Sequence, residues 1–384
     1  MDNKLATNIS FKLRSLNDEP RPFFVMVGFR RPHLPWVLHH RFWDLYNRSE
    51  ASSLFDLPSR HGSRGSKQPL LEFGTGLRRF TTPPNGGCLG LPPPSFPWGP
   101  DMAHTFLAKA AQRCWRKAYY AAISQVDHHI GMVISTAKIL DLYNSTIIIF
   151  QSDHGHGLGE HGQYSKMSLL EWATRVPLMI RVPWKFNSLG STTRAPFNTL
   201  DIYHALPKLA KLAEYEATRI EQLSKALDNP RTATKAAAFS QWPSCGNLRY
   251  PQNTQVASMF DSGCGFSAMG YTARVKKWRY VAWVPFNFSN VGKESASFTT
   301  LLSEELYFHA EDDMGDLGAE YHNVASDSRL RKVRRKLLTL LSEHVSSTLT
   351  SARVIRDTCL VRADCDGKIA YRHWRHKQPW CPVQ

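Results

Sequence analysis

Apolar and polar residues alternate along this chain in two different rhythms, and the change between them divides it. An unbroken apolar run, Ile147-Ile148-Ile149-Phe150, predicts a strand buried on both faces of a parallel sheet. Phe23 to Phe29 and Val176 to Pro183 predict two more short strands, the second bounded by prolines. Between them, Ala103 to about Leu142 and Tyr203 to Leu227 carry apolar residues at helical spacing. A helix leading into a buried strand is one arm of a βαβ crossover, so residues 21–235 are expected to form an α/β unit. From about Phe239 the rhythm becomes period two. Gly270–Val275, Trp278–Val284 and Glu305–Phe308 predict antiparallel strands. Arg329–Leu341 then predicts a basic amphipathic helix with Leu330, Val333, Leu337 and Leu341 on one stripe. These elements make residues 236–345 a smaller carboxyl-terminal α+β subdomain with an antiparallel sheet. Residues 1–20 read as a polar loop, 50–100 as a long Pro/Gly-rich excursion, and 346–384 as an appended tail.

Charge changes the picture. With 48 Lys and Arg against 32 Asp and Glu, the 384 residues carry a formal +16, which favours polyanions: nucleic acid, an acidic membrane or a sulfated polysaccharide. The basic run within 331–336 is most simply a solvated face, with a polyanion-binding role as the sharper alternative. Zinc-finger spacing, RNP aromatics and a phosphate-binding GKS/T loop are all absent from the sequence. No stretch reaches transmembrane length, and the first 20 residues lack the apolar segment of a secretory signal. The 7 cysteines form no C-x-x-C pair, and a disulfide among Cys359, Cys365 and Cys381 is plausible chemistry for the tail. Glycosylation sequons begin at Asn8, Asn47, Asn144 and Asn287, which with the cysteines lean toward the secretory route.

The predicted Ile147–Phe150 strand stops at Ser152-Asp153-His154-Gly155, and glycine recurs through Gly162. Ligands of open α/β sheets bind beyond the carboxyl ends of such strands. An Asp-His pair there is placed to hold a metal, and glycine lets backbone and ligand approach closely. The plain alternative is a glycine-rich surface loop in which His154, His156 and His161 have no special task. His33 lies between Pro32 and Pro35, which excludes a regular helix, and Arg30 and Arg31 precede it.

Taken together, Pro22-Phe23-Phe24, Arg31-Pro32-His33-Leu34-Pro35, Asn144 to Phe150, Ser152-Asp153-His154-Gly155, Leu158 to Gly162 and Lys166 resemble the type I sulfatases. Gly270-Tyr271, Arg279-Tyr280, Trp283-Val284 and Glu305–Phe308 are similar to that family's carboxyl-terminal subdomain. The resemblance covers roughly residues 20–325 apart from the excursion. It implies an alkaline-phosphatase/sulfatase-like fold, a mainly parallel sheet flanked by helices. It implies calcium held by Asp153 and His154, and sulfate contacted by Lys166 and His33 as catalytic and substrate-binding groups. His156 and His161 would line the same pocket. The implied substrate is the 2-O-sulfate of iduronate in heparan and dermatan sulfate, a sulfated glycosaminoglycan, with neither nucleic acid nor membrane as partner. A lysosomal or secreted location is implied for the parent protein.

One part of the family pattern is missing. The nucleophile of these enzymes is a formylglycine made from Cys-x-Pro-Ser-Arg, which precedes the region of His33 together with two further metal-binding aspartates; this chain begins after all three. Asp56-Leu57-Pro58-Ser59-Arg60 mimics the motif, but it follows His33 and aspartate cannot be oxidised to an aldehyde. The expectation is therefore the carboxyl-terminal two-thirds of a sulfatase with little or no activity of its own. A fragment and a genuine product starting at Met1 both remain open, the latter as a non-catalytic glycosaminoglycan-binding pseudo-sulfatase. A phosphatase or phosphonate hydrolase would need a Ser or Thr nucleophile and more metal ligands than the sequence offers.

Overall fold

The computed structural model describes residues 1–47, 55–56, 109–162, 164–166, 168–212, 222–231, 237–244, 268–287, 296–310 and 320–359. Helices within them are α1 (Asp2–Asn17), α2 (His40–Asp44), α3 (Lys109–Ile139), α4 (Glu171–Thr174), α5 (Leu200–Leu209), α6 (Gln222–Asp228) and α7 (Arg331–Cys359). Strands are β1 (Ile148–Gln151), β2 (Gly157–Leu158), β3 (Tyr164–Ser165), β4 (Leu178–Arg181), β5 (Ala238–Ser244), β6 (Ala268–Arg274), β7 (Trp278–Pro285) and β8 (Ser303–Phe308).

The expected first strand is present, but its setting differs. β1 pairs with β4 antiparallel, with Ile149 opposite Ile180, so the described strands form small antiparallel sheets and not a mainly parallel one. Burial on both faces also fails for β1. Ile147, Ile149 and Ile180 pack against Val182, Ile202, Leu209 and Leu223 beneath α5 and α6, whereas Met179 on the other side is 60% exposed. Phe23 to Phe29 is extended but joins no ladder among the described residues. Its side chains alternate between half-buried and exposed, with Phe24 and Met26 turned to solvent.

Residues 1–20 are a helix, not a loop. Leu5, Ala6, Ile9, Leu13 and Leu16 fall at three- and four-residue intervals, and Ala6 and Leu13 are buried. Ser10 accepts a hydrogen bond from Thr136 of α3 at 3.0 Å. Asp2, in the first turn, is buried and accepts from the backbone N–H of Arg30 and Arg31 at 3.2 and 3.1 Å. The expected helix from Tyr203 to Leu227 is instead two, because Lys211 turns to φ 56° just after α5. The helix expected from Ala103 appears as α3, and the residues before Lys109 lie outside the described ones, as do nearly all of 50–100 and residues 360–384.

The period-two prediction holds. β5, β6, β7 and β8 form one antiparallel sheet in sequence order, with Tyr280 opposite Ala273 and Leu306. Alternate residues of β7 face opposite ways. Tyr280, Ala282 and Val284 pack under Leu337, Leu341 and Val345 of α7, while Val281 and Trp283 pack against Leu169. Arg279 continues that second row and is 1% exposed. It bonds Glu171 and Glu320, and donates to Leu169 O at 2.7 Å and Thr174 Oγ1 at 2.9 Å. The guanidinium thus ties the sheet to the segment that runs from Lys166 into α4.

Candidate functional site

Two loops and one helix face build the site. The first loop, 30–36, contains cis peptide bonds at Arg31-Pro32 and Leu34-Pro35. Trp36 anchors it: the indole N–H donates to Pro32 O at 2.6 Å, and the ring meets Trp115 of α3 edge-on at 4.7 Å. His33, exposed, sits at the turn, its Nδ1 2.6 Å from Leu34 O. A carbonyl only accepts, so Nδ1 carries a proton and Nε2 is the ring nitrogen left for another partner.

The second loop leaves β1. Ser152 Oγ donates to His154 O at 2.9 Å, and the His154 N–H donates to Asp153 Oδ1 at 3.0 Å. Gly155 donates its N–H to Ala173 O at 2.8 Å, and a Cβ at this position would lie 1.9 Å from Trp172 O. Only glycine fits between the loop and α4. Next comes His156, whose ring stacks on Tyr119 at 5.1 Å and meets Trp36 edge-on at 6.1 Å. Trp36, Tyr119 and His156 therefore pin both loops to the same face of α3.

The candidate basic groups are read around that junction. Burial first, and then the charges of His154, Lys166 and His33, pull the His156 imidazole down to about 4. The His156 ring, half-buried, is within electrostatic reach of each of those three groups. Its Nε2 is buried without a hydrogen-bond partner. Lys166 is half-buried and forms no ion pair with any described residue. Burial, with Glu160 second, lifts the Tyr119 phenol to about 12, so it stays a neutral wall.

His161 is placed differently from the expectation that it lines the pocket. It is 0% exposed, stacked on Tyr321 at 3.9 Å, and its backbone N–H donates to Tyr321 Oη at 3.0 Å. Its neighbour Glu160 accepts from Arg116 at 3.0 Å and from Leu158 N at 2.6 Å. His161 thus joins the loop to the carboxyl-terminal part. Asp56, which holds the cysteine's place in the mimic motif, is engaged by Arg113 at 2.5 and 2.8 Å. Those bonds hold its carboxyl down to about 2, as an anchor on α3.

Two sets of donors invite a metal. Asp153 is exposed at 84% of its side chain, and its Oδ2 lies 3.4 Å from His154 Nε2. His154 Nδ1 lies 2.8 Å from Gly155 O, so it carries the proton and Nε2 presents a lone pair toward the carboxylate. Two electron-rich atoms facing each other at that distance suit a cation between them, or a proton on the ring. Among the described residues no third ligating side chain joins this pair. Glu171, His309 and Glu320 form the second set, fully buried and close enough to share an ion. The Arg279 guanidinium already bonds both of these carboxylates, and Arg274 reaches Glu171 at 3.1 Å. Their charge is balanced by fixed cations, so this set is a structural ion-pair network.

Tyr119, Trp36 and the Arg116–Glu160 pair escaped the sequence reading. The available signal was Trp115 and Tyr119 four apart on α3, one helix face with two aromatics.

The sulfatase family profile matches residues 1–212. Iduronate 2-sulfatase of Mus musculus is 28% identical over 377 residues, covering 86% of this chain and 62% of that protein. The Homo sapiens enzyme is 27% identical over 83% of this chain and 60% of its own length. The chain thus spans about three-fifths of the length of these relatives. Among solved structures, one of a 2-O glycosaminoglycan sulfatase superposes with a TM-score of 0.59 at 17% identity, covering 95% of this chain and 66% of that one. Another, in complex with D-glucosamine-2-N,6-O-disulfate, gives 0.61 at 18% identity, covering 88% and 69%. These likenesses establish an alkaline-phosphatase/sulfatase-like fold.

Proposed function

Because the chain belongs to the sulfatase family, as the match over residues 1–212 shows, we propose that its basic pocket binds a sulfate ester of a glycosaminoglycan. The proposed substrate is the 2-O-sulfate of iduronate in heparan and dermatan sulfate, which the likeness to iduronate 2-sulfatase over 86% of the chain supports. The observation that carries the reading is the half-buried His156 ring, its Nε2 buried without a partner, within reach of the His33, His154 and Lys166 charges. In sulfate-ester hydrolysis, sulfur passes to a nucleophile, its bond to the alcohol oxygen breaks, and that oxygen takes a proton. Lys166 is proposed to hold the sulfate oxygens and offset the charge that grows on the leaving oxygen. His33, with Nδ1–H fixed on Leu34 O, is proposed to act in its doubly protonated form, giving the Nε2 proton to that oxygen and returning to the neutral ring. His156 stays neutral near pH 7 and offers the sulfate a ring N–H without adding charge. His161 is proposed to act at one remove, by fixing the loop.

Asp153 and His154 are proposed to hold a calcium ion, which supplies Lewis-acid stabilisation of the sulfate oxygens when bound. A carboxylate suits a hard cation well and an imidazole less so, and together they provide two of the roughly six to eight ligands calcium takes. Exposed sequon residues Asn8, Asn47, Asn144 and Asn287 and the disulfide-bonded Cys114 support a lysosomal or secreted setting for the parent protein.

The sequence contains no Cys-x-Pro-Ser-Arg, and this favours a second reading in which the chain binds the glycan without cleaving it. Titrating the expressed chain with a 2-O-sulfated iduronate disaccharide, in calcium, tests both. Binding at least about tenfold tighter than to the desulfated disaccharide is expected, without release of inorganic sulfate. Equal affinity for the two sugars contradicts the pocket assignment. Sustained turnover contradicts the non-catalytic reading.

A further inference from the structure

We propose that the first two turns of α7 form a second, polymer-binding site for a sulfated polysaccharide, separate from the pocket around Lys166. Arg331, Lys332, Arg335 and Lys336 are all exposed, and none is ion-paired with a described residue. At about 100° per residue they cover one arc of the helix, opposite the stripe of Leu337, Leu341 and Val345 that packs on the sheet. Arg334 is not part of that arc. It turns inward to Ala325 O and lies 3.5 Å from Glu304, which fastens this end of the helix.

The arrangement runs against helix stability. Cations are disfavoured at a helix amino terminus, where the backbone dipole is already positive, and the first turn of α7 contains no acid. Like charges four apart, Arg331 with Arg335 and Lys332 with Lys336, repel as well. The next acid along the helix, Glu343, is two turns beyond Lys336, roughly 10 Å away. A surface that only needed solubility would mix signs here. A stripe of unpaired cations on a helix fastened to the sheet fits a linear polyanion laid across it, and the formal +16 of the chain draws such a polymer in. The choice of a sulfated polysaccharide over other polyanions rests on the sulfatase reading of the pocket.

The test compares the full chain with an R331Q/K332Q/R335Q/K336Q variant, using fluorescent heparan sulfate chains at low salt. Four lost counterion-releasing contacts correspond to a fall of roughly 10- to 100-fold in affinity and a shallower dependence on salt. Binding of the 2-O-sulfated disaccharide is expected to stay unchanged, so a failed pocket assignment and a failed α7 assignment give different results. A control, K4Q/K12Q/K211Q/R231Q, removes the same charge from other exposed positions and is expected to change affinity less than about threefold. Equal losses in the two variants, or no loss in the first, overturn the proposal. So does duplex DNA of matched length that binds as tightly as heparan sulfate and loses as much in the variant. If the quadruple variant melts early, R331Q/R335Q and K332Q/K336Q are read separately: a loss of roughly three- to tenfold in each supports the site, and no loss in either overturns it.

Discussion

At the scale of single residues, Gly155 decides whether the loop after β1 can take its shape. A methyl group there would meet Trp172 O at 1.9 Å and break the hydrogen bond to Ala173 O. Gly155→Ala is expected to cost about 2–4 kcal/mol, overpacking plus one lost bond, and to weaken sulfated-disaccharide binding at least about tenfold through His154 and His156. A thermal melt and a titration check both, and a variant that melts and binds as the parent does contradicts the account. The candidate residues that bear charge stand out in the sequence because chemistry and position coincide: Asp153 and His154 follow a strand end, and His33 lies between prolines. Tyr119 and Trp36 do not, since an aromatic on an amphipathic helix or after a proline looks like ordinary core. What they do, joining two loops 120 residues apart, exists only in three dimensions.

At the scale of elements, the carboxyl-terminal sheet carries ionisable groups whose burial makes stability depend on pH. Burial pushes Glu305 up to about 7, against the opposing hydrogen bonds from Tyr307 and Trp283 Nε1. A carboxyl raised in the folded state binds more protons than in the unfolded chain between pH 4.5 and 7. Its contribution is therefore complete below about 4.5 and is lost as pH rises toward 7. Glu305→Gln is expected to remove that loss, flattening the decline over this range by roughly 2–3 kcal/mol at most. Denaturant melts at pH 5 and pH 7 check it; parallel curves for parent and variant would contradict it. Glu171 has the opposite sign. Burial pushes its carboxyl up, but Arg279 and Arg274 outweigh burial and hold it at about 2, so its share is lost only as pH falls below about 4.5. The elements themselves were unevenly legible. β6 to β8 declared themselves by alternation, which the two-sided packing of β7 explains. α1 was missed because its apolar stripe is diluted by exposed polar residues. β1 has an antiparallel neighbour where a parallel one is expected, because an apolar run marks a strand and not which way its neighbour points or how deeply it is buried.

For the molecule as a whole, the two parts are locked by contacts that also bear on the site: Arg279 grips the segment after Lys166, and Tyr321 stacks on His161. The basic excess has two addresses in this account, a small pocket and a helix stripe, which is why a charge total alone could not distinguish nucleic acid from glycan. A crystal structure of the chain with a 2-O-sulfated iduronate disaccharide tests the pocket assignment most directly. The predicted result is one sulfate group within about 3.2 Å of both His33 Nε2 and Lys166 Nζ, beside His156. A sulfate bound elsewhere, or His33, His154, His156 and Lys166 spread over separate faces, would contradict it.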